Sequence, residues 1–96
     1  AWRAPHLILC DAQGEDLRIL RGGRRVVDVH QPHLLIEFTP YLLDPVDYPE
    51  VDRLIEAGWA ASLVEADRMP VESAGHAAAV LGATGTATMH IAPPTP

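Results

Sequence analysis

At 96 residues, 48% of them apolar and 21% charged, the chain has room for one globular domain and too little polar excess for wholesale disorder. A chain this short buries only about 60–65% of the surface its unfolded form exposes, so marginal stability is expected of it alone. The net charge of −6, thirteen scattered acids against seven bases that are all Arg, offers no basic face to a phosphate backbone and predicts no nucleic-acid partner.

Three further features bound the setting. Arg18, Arg21, Arg24 and Arg25 fall on what reads as the solvated side of a helix. The single cysteine, Cys10, excludes an internal disulfide, and its apolar flanks place it in a strand as a small, inert hydrophobe. No run approaches the roughly 20 apolar residues of a membrane span and no signal-peptide pattern occurs, so the expected protein has no membrane partner and is cytoplasmic. A start at Ala1 rather than Met fits an excerpt of a longer polypeptide, although processing would give the same start.

The first element is the near-continuous apolar run Ala4 to Asp11. It has the profile of a strand buried on both faces, as in a parallel sheet covered by helices. Glu15 and Asp16 then put negative charge in the first turn of a helix, where the macrodipole favours it. Leu17, Leu20, Val26 and Val27 supply its inward face. Gly22-Gly23 predicts a break or two short helices, since each glycine costs about 1 kcal/mol against alanine there.

Pro32 ends the helical stretch and introduces a second buried-looking strand, His33 to Thr39, with residues 12–31 as the crossover that parallel strands require. Three prolines and two aspartates between Pro40 and Pro49 make a loop able to lie over the C-terminal edge of the sheet. A second helix runs from Glu50 to Ala57, with Val51, Leu54 and Ile55 on one face and Gly58 as its cap. Trp59 to Ala66 predicts a third strand. The stretch Asp67 to Gly85 carries little signal beyond a short helix at His76 to Leu81. Thr86 to Ala92 forms the last strand, stopped by Pro93-Pro94. The order is that of an open α/β sheet with a hairpin-like return at its end.

The segment Leu7-Ile8-Leu9-Cys10-Asp11-Ala12-Gln13-Gly14-Glu15-Asp16-Leu17-Arg18-Ile19-Leu20-Arg21-Gly22 resembles the signature of FkbM-type S-adenosylmethionine-dependent methyltransferases. That signature is an apolar strand, Asp-x-Gln/Glu-Gly, an acid two places on and a Leu-rich turn into Arg/Lys-Gly. Pro32 to Glu37 and Leu54-Ile55-Glu56-Ala57-Gly58-Trp59 are similar to the following steps of the family, so the likeness covers residues 5–66, and Thr88 to Pro93 loosely. Asp16 departs from it, the family usually having Glu there. The resemblance implies the C-terminal half of a Rossmann-like class I methyltransferase sheet, β-α-β-α-β-β with the last strand antiparallel. It implies S-adenosylmethionine as cofactor and a small-molecule hydroxyl acceptor, with the cofactor held mainly by an N-terminal half. No glycine-rich strand-to-helix turn of the kind that half carries occurs in the sequence.

Methyl transfer from a sulfonium is an in-line displacement, which asks the protein to align donor and acceptor and to orient or remove a hydroxyl proton. Asp11, ending the first strand at the ligand-binding edge of such sheets, is a candidate base, or equally a cap on the next helix. Glu37 closes the second strand at the same edge, so the two carboxylates could share a pocket and raise one pKa, or Glu37 could pair with an Arg. Gln13, Gly14 and Tyr41 are candidate substrate contacts. Gln13 and Gly14 could instead serve the turn, and Tyr41, like Tyr48, could be a plain surface aromatic. The spacing His30-x-x-His33 invites a metal reading, but Pro32 breaks the helix that would align both rings, and no metal is assigned. His6, His76 and His90 receive no role, and Trp59 reads as core or rim. The rival reading is a non-enzymatic α/β module that self-associates through the open edge of its first strand.

Overall fold

A computed structural model describes residues 7–10 and 14–94. The elements in chain order are β1 (Leu7–Cys10), α1 (Asp16–Gly22), α2 (Arg24–His30), β2 (His33–Phe38), a single 3-10 turn (Pro45–Asp47), α3 (Pro49–Glu56), β3 (Ala60–Leu63), β4 (Met69–Val71), α4 (Ala74–Leu81) and β5 (Ala87–Ala92). They build a five-stranded mixed sheet of order β1-β2-β5-β3-β4. β1 and β2 are parallel in the register Leu7↔His33 to Cys10↔Ile36. β5 is antiparallel to both β2 and β3, so β1, β2 and β3 all point the same way. The chain therefore returns at its end into the middle of the sheet.

One core fills one side of the sheet. Alternate strand residues Leu34, Ile36 and Phe38 of β2, Met89 and Ile91 of β5 and Ala61 and Leu63 of β3 are buried together with Leu17, Leu20, Val27, Val51, Leu54, Ala74 and Ala77 of the helices. The opposite face has no helix over it among the described residues. Leu7 and Leu9 of β1 are 55% and 71% exposed, and His33, Leu35 and Glu37 of β2 alternate outward as exposed or half-buried positions. This corrects the expectation of a first strand buried on both faces: its sequence is apolar on both sides, but only the Ile8 and Cys10 side meets the core.

The local chemistry explains most other boundaries. The glycine pair does split the predicted helix in two, with Gly23 serving as the end of α1 and the start of α2. Val26, expected to point inward, is 43% exposed, because the rotation between the two short helices leaves only Val27 of α2 in the core. The third strand is shorter than Trp59 to Ala66. It gives way after Leu63 to a tight turn in which Asp67 and Arg68 both take positive φ, and that turn returns the chain into β4, which the sequence reading missed. Trp59 is 5% exposed and belongs to the core. α4 starts two residues before its predicted first residue, capped by the Ser73 hydroxyl on the His76 N–H at 3.0 Å. The Asp52 carboxylate takes the Ala74 N–H at 2.8 Å.

Arg18, Arg21, Arg24 and Arg25 are all exposed, as the solvated reading expects, and three of them form ion pairs. Arg24 pairs with the buried Glu50, Arg18 with Glu15, and Arg21 Nη1 lies 3.2 Å from the buried Asp47 Oδ1 as an ion pair without hydrogen-bond alignment. The Arg21 and Arg24 contacts pin the Pro40 to Pro49 loop and the start of α3 against α1 and α2. Leu43, at 6% exposure, anchors the same loop in the core.

Candidate functional site

The parallel strands β1, β2 and β3 end at one edge of the sheet, and β5 begins there. Open α/β sheets bind ligands at the carboxyl ends of their strands. On the uncovered face at this edge lies an open depression of about 370 Å³. Leu9 and Leu35 give it apolar wall, and Glu37, Glu65, Thr86 and Thr88 give it polar groups.

Strand register sets Glu37 and Thr88, while Glu65 follows β3 and Thr86 precedes β5. Glu37 and Thr88 are direct partners across the β2–β5 pair, so both side chains stand on the same face. The Thr39 hydroxyl donates to Glu37 Oε1 at 3.0 Å and lies 2.6 Å from the Thr86 hydroxyl. On the far side of Thr88, Glu65 Oε1 accepts the Thr88 N–H at 2.7 Å and Oε2 accepts its hydroxyl at 2.9 Å. The Thr88 N–H, and less strongly its hydroxyl, hold the Glu65 carboxyl below its ordinary value. Two carboxylates thus flank Thr88 at the strand ends.

Below this row, the carboxylate of Asp16 accepts the backbone N–H of Glu37 at 3.1 Å. Cys10↔Ile36 is the last β1–β2 pair among the described residues, and Asp16 takes the next N–H along β2. Asp16 is fully buried, and a buried carboxylate is tolerated only where such donors meet it. Cys10 lines the same depression. Burial first, and the Asp16 charge second, push its pKa up and keep it a thiol.

The residues singled out from the sequence separate as follows. Glu37 lines the depression. Asp11 and Gln13 lie outside the described residues, so the proposed sharing of a pocket by Asp11 and Glu37 has no geometry here. Gly14 holds a turn: its φ is +94°, and a Cβ there would stand 2.7 Å from the Leu42 carbonyl oxygen. Tyr41 is 61% exposed and is not among the lining residues. Tyr48 packs tilted on Phe38, ring centroids 5.9 Å apart, as part of the core rather than as a loop aromatic over a ligand.

His33 turns away from the His30 spacing and meets His90 instead, Nδ1 to Nε2 at 2.9 Å. Among the described residues no group of three or more His, Cys, Asp or Glu side chains could hold a metal ion. No helix among them is long and apolar enough to cross a membrane.

Glu65, Thr39, Thr86, Thr88 and Asp16 escaped the sequence reading. The signal for Glu65 was present: Leu63-Val64-Glu65 closes an apolar run on an acid, as Cys10-Asp11 and Ile36-Glu37 do. The alternation Thr86-Ala87-Thr88-Met89-His90 likewise puts both threonines on one face of the last strand.

The arrangement can accept hydrogen bonds from hydroxyl or ammonium groups at two carboxylates, exchange them with two threonine hydroxyls, and seat a carbon skeleton against Leu9 and Leu35. No family model, curated protein or solved structure matches the chain.

Proposed function

We propose that the chain is the C-terminal half of a Rossmann-like, S-adenosylmethionine-dependent methyltransferase domain, an O-methyltransferase of small-molecule or sugar-type hydroxyls. The observation that carries the reading is the sheet. Parallel β1 and β2 are joined by a helical crossover, and the final strand, after the intervening β4 and α4, returns antiparallel into the sheet's interior, compatible with the antiparallel end that the resemblance around Asp11 to Gly22 implies. The uncovered face with exposed Leu7 and Leu9 supports a domain that continues over it.

In this reading Glu37 orients the acceptor hydroxyl and receives its proton, alone or with Asp11, while Thr39 fixes the Glu37 carboxylate. Gln13 remains a proposed acceptor contact, while Gly14 serves the turn and Tyr41 stands outside the depression. The residues present do not make a cradle for the cofactor. The sequence has no glycine-rich strand-to-helix turn, and the polar side chains that the described residues supply to the depression are carboxylates, hydroxyls and the Cys10 thiol, so in this reading the N-terminal half holds the cofactor and the chain by itself is catalytically silent. The test is methyl transfer from labelled S-adenosylmethionine to a panel of polyhydroxylated acceptors. The polypeptide extended by the residues encoded upstream should transfer label, Glu37→Gln should lower kcat about 10²–10⁴-fold, and no transfer by the extended protein to any acceptor would count against the reading.

A second reading is favoured by the edge position of β1, which among the described residues pairs with β2 on one side only and carries no charge in Leu7–Cys10. Such an edge is a template for a second copy. In that case the chain is a self-associating α/β module, and sedimentation at rising concentration should show a dimer that a proline at Leu9 abolishes. A monomer at every concentration would dismiss this reading.

A further inference from the structure

On the uncovered face, farther along β2 and β5 from the depression, His33 Nδ1 and His90 Nε2 stand 2.9 Å apart. Their ring centroids are 5.2 Å apart and the planes differ by 27°. That centroid separation is the nitrogen gap plus little more than one ring radius on each side. The rings therefore meet end to end, and the contact is an in-line N–H···N hydrogen bond rather than a pair of nitrogens converging on a third atom. A neutral imidazole presents one donor and one acceptor nitrogen, so one proton between the facing nitrogens closes the bond. Protonating one ring leaves it intact. When both rings are protonated, both facing nitrogens carry N–H and no acceptor remains.

The neighbours bias that second protonation. β1 places Leu7 opposite His33, and β2 and β3 place Leu35 and Ser62 on either side of His90; none of these titrates near neutrality. The turn after β3 brings the positive charge of Arg68 to bear on His90. The face's carboxylates, Glu37 and Glu65, belong to the depression at the strand ends. Burial, then the charges of His33 and Arg68, hold the His90 pKa below its ordinary 6.5.

We propose that His33 and His90 form a proton-operated clasp across the β2–β5 junction, closed by one proton between the facing nitrogens at neutral pH and opened in acid when the second ring is protonated. Opening adds positive charge beside Arg68 on the face that the helices leave uncovered. The clasp does not depend on the methyltransferase reading.

The test is nitrogen NMR on the uniformly labelled full chain. At neutral pH the facing ring nitrogens should show a scalar coupling across the hydrogen bond, and the coupling should be lost on acidification while the backbone spectrum remains that of the folded protein. In His33→Ala the His90 titration midpoint should shift upward. Absence of the coupling at neutral pH would overturn the proposal, as would a His90 midpoint that His33→Ala leaves in place. Should that variant not fold, the coupling in the unaltered chain decides the matter alone.

Discussion

Asp16 and Glu37 belong to different layers of the fold, yet the buried carboxylate of the first takes the backbone N–H of the second at 3.1 Å. The helix that follows β1 is thereby tied to the strand end that carries the candidate base. Removing the carboxylate strands a β2 donor, at a cost of about 1–3 kcal/mol for an unsatisfied buried group. Asp16→Ala should lose that much in urea unfolding, and Asp16→Asn, which keeps an acceptor oxygen, markedly less. Equal losses in the two variants would show that the hydrogen bond is unimportant.

Gly14 provides a sharper steric case. With φ at +94° and the Leu42 carbonyl oxygen 2.7 Å from where a Cβ would stand, any side chain must displace the loop backbone. Gly14→Ala should destabilise by about 1–3 kcal/mol, whereas Gly22→Ala, with nothing within 4 Å, should be neutral or stabilising. Thermal unfolding of the two single variants makes the comparison.

Much of this architecture was legible in the sequence. The proline before β2, the glycine pair between α1 and α2 and the acids opening the first helix each act within a few residues, so propensity and capping located those elements. β4 was not legible, because Met69-Pro70-Val71 is too short to show alternation and exists through pairing with β3. The both-face burial of β1 was misread because an apolar pattern reports what a strand could bury, not what covers it. Among the site residues, Glu37 followed from its place at a strand end. Glu65 and the His33–His90 contact depend on the return of β5 between β2 and β3, a long-range event that local pattern does not encode.

Acid should weaken the fold in two windows. The His90 pKa is depressed in the folded chain, so the unfolded chain takes up the proton first. The stability His90 contributes is complete above the ordinary value of 6.5 and erodes as the pH falls through and below it. The Glu65 carboxyl is also depressed, so its contribution is complete above 4.5 and is lost as the pH drops further through its folded value. Urea midpoints measured from pH 8 to pH 3 should fall in both windows. Glu65→Gln, which removes the titrating group, should flatten the lower window, and an unchanged lower limb in that variant would refute the assignment.

The methyltransferase reading is tested most directly by calorimetric titration of S-adenosylmethionine into two proteins, the 96-residue chain and the same chain extended by the residues encoded upstream. The half-domain account predicts heat of binding for the extended protein and none for the shorter one. Tight binding by the 96-residue chain alone, or no binding by either, would contradict it.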